Sequence, residues 1–150
     1  MRGQVATEFL LYTAVFMFVA VAAFIVINDV QRSELPLQQN TVAKNTGEGF
    51  VSTLTLAVKG GEGFSYRYTF PRNILGISYS LDMNKLDDSK WFMLEWPGTY
   101  GNFSYQYGVP DYPYKLNGTC LGAGMLVSDA CSNVLMLSND GENLTITQLP

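Results

Sequence analysis

The chain has 150 residues, a length that normally makes one domain. Its 13 acidic and 9 basic residues give a net charge of −4, and the basic residues form no cluster, so a surface that follows nucleic-acid phosphates is not expected. Histidine is absent, and neither a glycine-rich phosphate loop nor a nucleophile motif occurs. We therefore expect no enzyme, no metal site and no cofactor.

An apolar segment dominates the N-terminal part of the sequence. No charged residue occurs from Phe9 to Ile27. As a helix this run would measure about 28 Å, which matches the hydrocarbon thickness of a bilayer. The charged residues before this run are Arg2 and Glu8, and no basic cluster follows it. Because positive charge favours the cytoplasmic side, we expect the N-terminus in the cytoplasm and the remainder outside.

Polar and small residues give this helix two further features. Glu8 is a carboxylate close to a membrane segment, where an acid usually has a partner, although the sequence also allows it to lie at the headgroup boundary. Ala6, Thr13 and Ala20 recur every seven residues on one side, a spacing that favours close packing between helices. We expect the helix to cover 4–34 and to end or bend at Pro36, followed over 35–48 by a connector or a frayed helical turn.

The first residues also resemble a known family. Arg2-Gly3-Gln4-Val5-Ala6-Thr7-Glu8-Phe9-Leu10-Leu11 is similar to the class III signal peptide of archaeal type IV pilin-like proteins, which include adhesion pilins and archaellin-like subunits. The family pattern has a small residue two places after the glutamine, met here by Ala6, and often a leucine eight places after it, where this chain has Tyr12. Phe70-Pro71-Arg72-Asn73-Ile74-Leu75-Gly76-Ile77-Ser78-Tyr79 resembles, more weakly, a stretch found in the β domains of that family.

The resemblance implies how the chain is processed and assembled, and with which partners. A prepilin peptidase would cut between Gly3 and Gln4, so that residues 1–3 form the leader. The precursor would lie in the cytoplasmic membrane, and assembly machinery would move it into a homopolymer on the cell surface. The freed amino group of Gln4 in a neighbouring subunit would then neutralise Glu8. The subunit would be lollipop-shaped, with helices in the filament core.

Beyond Gly49 the pattern favours strands. Phe50 to Val58 alternates and predicts a strand, as do the stretches 64–70, 74–81, 91–96 and 103–107. Asn139-Asp140-Gly141 predicts the turn of a terminal hairpin. We therefore predict an α+β fold, in which the long hydrophobic helix is followed by an antiparallel β-sandwich or barrel-like domain over 49–150.

The cysteines and sequons are relevant to whether the chain is exported from the cytoplasm. Cys120 and Cys131 are either free thiols or one disulfide, and export would favour the disulfide. Three sequons, at Asn102, Asn117 and Asn143, are permitted glycan acceptors in an exported chain. Five tyrosines between residues 100 and 114 serve either as core residues or as a surface for sugars or another subunit: Tyr100, Tyr105, Tyr107, Tyr112 and Tyr114.

Two functions from different classes remain open at this stage. The chain is either a structural subunit of an extracellular filament that serves adhesion or cell contact, or a membrane-anchored extracytoplasmic binding protein that never polymerises. A minor pilin lies between the two. Gln4 and Glu8 favour the filament, because a plain anchor needs neither residue.

Overall fold

The computed structural model describes residues 2–98 and 101–150, except for the side chains of residues 2–6, 31–33, 119, 122 and 123. It has one long helix, α1 (Arg2–Gly60). The strands that follow are β1 (Ser65–Thr69), β2 (Ser80–Asp82), β3 (Trp91–Gly98), β4 (Gly101–Gly108), β5 (Tyr114–Asn117), β6 (Met125–Val127), β7 (Val134–Asn139) and β8 (Leu144–Gln148). A short 3-10 helix, Thr119–Gly124, precedes β6. The predicted α+β class, with a long apolar helix ahead of a β-rich region, is confirmed.

The chain divides into two compact units, Met1–Gln38 and Gln39–Pro150. The first unit is helical, and its described side chains from Thr7 to Val30 are exposed except for Asn28, which is half-buried. Helix α1 is long and apolar enough in this region to cross a membrane. The second unit holds the last part of α1 and all eight strands.

The prediction was wrong about the chain between residues 35 and 60. Pro36 does not end the helix, and both the expected connector over 35–48 and the expected strand over 50–58 are helical. The reason is a buried stripe at helical spacing, formed by Ala43, Gly47, Phe50, Leu54 and Ala57. This stripe packs into the core of the second unit, and that burial outweighs the β-propensity of the residues between its members.

Two four-stranded sheets make up the rest of the second unit. The first sheet has the order β1-β7-β8-β5, in which β5 and β8 are parallel and the other pairs are antiparallel. The second sheet has the order β4-β3-β2-β6 and is antiparallel throughout. Among the described residues the two sheets do not close into a barrel. The predicted terminal hairpin is present as β7 and β8.

Aromatic rings join α1 to both sheets. The ring centroid of Phe50 lies 5.1 Å from that of Tyr68 in β1 and 6.2 Å from that of Phe92 in β3. Tyr107 of β4 stacks on Phe92 at 5.3 Å, and its hydroxyl donates to the carbonyl of Lys44 on α1 at 3.3 Å. Burial, and then the nearby charge of Glu48, raise the pKa of Tyr107 to about 12. The last part of α1 is therefore an integral element of the β-rich unit's core.

Short turns limit the strand predicted over 74–81. Leu75 and Gly76 both have positive φ angles, 51° and 85°, so the chain turns tightly between Ile74 and Ile77, which form an isolated bridge. The amide of Gly76 donates to the side-chain oxygen of Asn73, which stabilises this turn. Only Ser80–Asp82 then pairs as β2, so the strand is shorter than predicted.

Candidate functional site

The residues assigned to processing and assembly lie on the first part of α1. Gly3, Gln4 and Ala6 are among the residues whose side chains lie outside the described part of the chain. Glu8, Thr13 and Ala20 are all exposed. Their surroundings are strongly apolar: Phe16 and Phe18, for example, have 75% and 76% of their surface exposed. The assembly segment, defined here as residues 7–30, therefore presents its apolar side chains outward instead of burying them.

Two polar side chains within the assembly segment donate hydrogen bonds to the backbone of the helix itself. The hydroxyl of Thr13 donates to the carbonyl of Phe9 at 2.8 Å, and the amide of Asn28 donates to the carbonyl of Phe24 at 3.0 Å. A threonine bonded in this way carries no unmet donor into an apolar environment and offers a compact surface to another helix. Thr13 thus fits the small-residue side that its spacing with Ala20 indicates.

The disulfide predicted as one of two states is present. Cys120 and Cys131 are joined by an S–S bond, with Cα atoms 6.2 Å apart. The bond closes a loop that contains the 3-10 helix and β6. It links the chain just after β5 in the first sheet to the approach of β7 in the same sheet.

The three sequons differ in their surroundings. Asn102 and Asn117 are exposed, on β4 and at the end of β5 respectively. Asn143 is half-buried in the β7–β8 turn, where its backbone amide donates to the carboxylate of Asp140. That hydrogen bond and a second one from Glu142 lower the pKa of Asp140. Asn102 and Asn117 are therefore the more accessible acceptors.

The tyrosines between residues 100 and 114 mostly serve the interior. Tyr112 donates its hydroxyl to the side chain of Asn139 at 2.9 Å, and buried Tyr114 donates to the carbonyl of Pro110 at 2.9 Å. Tyr105 is half-buried against Trp96. Tyr100 lies outside the described residues. For the described members, packing takes precedence over an exposed sugar-stacking surface.

Lys90 connects two loop segments that the sequence did not place together. Its ammonium group donates to the carbonyls of Asp87 at 2.6 Å and Tyr112 at 2.9 Å, and it lies 3.7 Å from the carboxylate of Asp111. Lys90 also adopts a positive φ of 57°, which is uncommon outside glycine. The lysine thereby fixes the segment between β4 and β5 against the turn before β3. In the sequence it looks like one more polar residue of a solvated turn.

A cavity of about 310 Å³ borders the second sheet. Its walls combine oxygen-bearing and apolar side chains: Ser78, Ser80, Glu95, Asn102, Pro97, Met125 and Val127. Within the described residues, no group of three or more aspartate, glutamate, histidine or cysteine side chains is placed to hold a metal ion. The cavity was not predicted, because its walls come from four strands, of which β2 and β6 are distant from each other in sequence.

Comparison with protein-family models, with curated proteins and with solved structures found no match to this chain.

Proposed function

We propose that the chain is a structural subunit of an extracellular filament of the archaeal type IV pilus kind. The observation that carries this proposal is the assembly segment, which exposes a long series of large apolar side chains. A surface of this kind needs cover, because contiguous exposed apolar patches on soluble monomers are small. Lipid covers such a helix before assembly, and neighbouring helices cover it in a polymer.

Glu8 favours a polymer over a plain anchor. An exposed carboxylate beside an apolar run is costly in lipid unless it is paired, and an anchor gains nothing from it. In the filament the partner is the α-amino group of Gln4 in a neighbouring subunit, freed by cleavage after Gly3. One charge from each of two copies then sets the register of adjacent helices.

The energetics are sufficient for such an assembly. Burying a large apolar side chain contributes about 1.5–3 kcal/mol before the cost of ordering. The assembly segment offers many such side chains, including Phe9, Phe16, Phe18 and Phe24. The same helix is stable in lipid, so the subunit can wait in the cytoplasmic membrane until the machinery extracts it.

In this proposal the second unit coats the filament on the cell surface. It carries a disulfide between Cys120 and Cys131, a type of bond that persists in oxidising compartments outside the cytoplasm. Its exposed sequons at Asn102 and Asn117 are accessible to glycosylation. The filament serves adhesion or cell contact, and the subunit has a structural role without a catalytic one.

The test examines filaments sheared from cells that produce the chain. Negative-stain microscopy should show them, and N-terminal sequencing of their subunit should begin at Gln4. Gly3→Val should block cleavage and leave a precursor in the membrane. A subunit that stays monomeric in detergent with Met1 intact would instead identify a membrane-anchored binding protein.

The role of Glu8 has its own matched control. Glu8→Ala should leave cleavage nearly intact but reduce the yield of filaments at least ten-fold, because the freed amino group of the neighbour loses its partner. Asp29→Ala removes one exposed carboxylate from the same helix, beyond the uncharged run, and should leave the yield unchanged. Normal filaments from Glu8→Ala would refute the assigned role.

A further inference from the structure

One face of the second sheet points away from the core. Leu94, Leu81 and Leu126 are cross-strand neighbours and are fully buried. Side chains alternate between the two faces of a strand, so the next residues along β3, β2 and β6 share the opposite face. We call this opposite side the outer face.

A row of side chains crosses the outer face. Ser104 of β4 pairs with Glu95 of β3, Glu95 pairs with Ser80 of β2, and Ser80 pairs with Val127 of β6. Directly opposed residues have their Cβ atoms about 4.5–5.5 Å apart, so this row is continuous across all four strands. A carboxylate and two hydroxyls therefore lie side by side, next to the methyl groups of Val127.

Asn102 lies at the edge of the same face. It is two residues before Ser104 on β4, and its cross-strand partner is Pro97. Asn102-Phe103-Ser104 is a sequon, so the glycan acceptor and its hydroxyl residue both point to the outer face. Asn102 and Ser104 are both exposed.

The cavity of about 310 Å³ is lined by Asn102 and by three members of the row, Glu95, Ser80 and Val127. Its size is at the lower end of the range for small-molecule pockets, about 300–1,000 Å³. Glu95 and Ser80 offer oxygen atoms for sugar hydroxyls, and Pro97 and Met125 offer apolar surface for the C–H groups of a sugar ring. Trp96 also borders the cavity, but its ring packs against the rings of Phe103 and Tyr105, with centroids 5.6 and 5.5 Å apart.

We propose that Asn102 carries a glycan whose first sugar residue folds back into this cavity. The proposal rests on the export of the second unit that the filament function requires. A sugar attached at the rim of an open cavity has an effective concentration on the order of millimolar, so even a millimolar affinity keeps it bound about half of the time. Asn117, which is exposed at the end of β5 in the first sheet, is not among the residues that line this cavity.

The test uses the full chain purified in detergent from cells that glycosylate it. Mass spectrometry of the peptide that contains Asn102 should show the glycan. Hydrogen–deuterium exchange should be slowed roughly two-fold in β2 and β6 of the glycosylated protein, as expected for a site bound about half of the time. Nuclear Overhauser effects should connect the first sugar to the methyl groups of Met125 and Val127.

Variants separate attachment from binding in the cavity. Ser104→Ala should remove the glycan and the slowed exchange while it keeps Asn102, whereas Ser104→Thr should preserve both. Glu95→Ala should keep the glycan but lose the slowed exchange. Asn117→Gln should change neither, because it removes a sequon outside the cavity.

Two results would overturn the proposal. These are an unmodified Asn102, and a glycan at Asn102 without slowed exchange or sugar-to-methyl signals. Filaments that form without a glycan at Asn102 would refute this inference alone. A bound glycan on a chain that never polymerises would refute the filament function alone.

Discussion

Replacing Gly47 by alanine tests how closely α1 packs against the second sheet. In a helix interior, alanine is favoured over glycine by about 1 kcal/mol, so helix propensity alone predicts a more stable protein. Gly47 is buried, however, and an added Cβ atom would collide with the ring of Tyr107. The sign of the effect therefore depends on what it costs to move that ring.

Tyr107 is held by interactions that the collision would disturb. Its hydroxyl donates to the carbonyl of Lys44, and its ring stacks on Phe92. Overpacking a core costs about 1–3 kcal/mol. A lost hydrogen bond adds about 0.5–1.5 kcal/mol, and a disturbed aromatic pair adds about 0.5–1.5 kcal/mol. These costs overlap, and after subtraction of the propensity gain we expect Gly47→Ala to lower the free energy of unfolding by about 1–3 kcal/mol.

The assay is urea unfolding of the full chain in a non-ionic detergent, followed by the fluorescence of Trp91 and Trp96. Both tryptophans lie in β3, next to the strand that carries Tyr107. In a Tyr107→Ala background the collision is absent, and Gly47→Ala should then stabilise the protein by about 0.5–1 kcal/mol. Stabilisation by Gly47→Ala in the presence of Tyr107 would refute the close packing.

Two further predictions concern buried aromatic residues of the second unit. Burial raises the pKa of Tyr114 to about 12 and also raises that of Tyr79, so above pH 10 these tyrosines ionise in the unfolded chain first and stability falls. Between pH 8 and 11 Tyr114 should remove about 1 kcal/mol of the free energy of unfolding, and Tyr114→Phe should reduce the total loss by that amount in urea titrations at each pH, because Tyr107, whose pKa is also raised to about 12, contributes equally to both proteins. A pH-independent midpoint over this interval would contradict the prediction. The indole nitrogen of Trp96 is buried without a hydrogen-bond partner in the described part of the chain, so Trp96→Phe should change stability by less than about 1 kcal/mol. Tyr79→Phe removes a hydroxyl that donates to the carbonyl of Pro71 and should lower the free energy of unfolding by about 1–3 kcal/mol. If Trp96→Phe and Tyr79→Phe lowered stability equally in thermal unfolding, the predicted difference between a bonded and an unbonded polar group would be wrong.

Local signals were sufficient for several elements. The uncharged run from Phe9 to Ile27 predicted the helix of the first unit, because no strand-like period interrupts it. The turn at Asn139-Asp140-Gly141 predicted the hairpin of β7 and β8, and the carboxylate of Asp140 accepts two backbone amides there. Both features depend on residues that are close in sequence.

The helix over residues 50–58 was predicted as a strand because two periods coexist in it. Val51, Thr53 and Thr55 are β-branched and alternate with other residues, which indicated a strand. Phe50 and Leu54 belong to the helical stripe that is buried in the structure. Thr53 satisfies its hydroxyl by donating to the carbonyl of Gly49 at 2.8 Å, which removes one reason for threonine to avoid a helix.

The candidate sites also divide into those that a local motif indicates and those that depend on residues distant in sequence. The sequons were visible in the sequence, since each is a local motif. The cavity beside Asn102 depends on the register of β3 with β4 and β2, and the connection made by Lys90 depends on a carbonyl 22 residues away. Such long-range placements follow from sheet pairing, which hydrophobic periodicity alone does not determine.

The distribution of buried side chains is compatible with the two environments, lipid and filament, that the proposed function requires. Every buried hydrophobic side chain among the described residues lies between Ala43 and Ile146, within the second unit. The described side chains of the assembly segment contribute nothing to that core. The packing of the second unit therefore does not depend on whether lipid or other helices surround the first. The proposed filament subunit would have to meet this requirement, because its apolar helix would change partners while its β-rich unit stays folded.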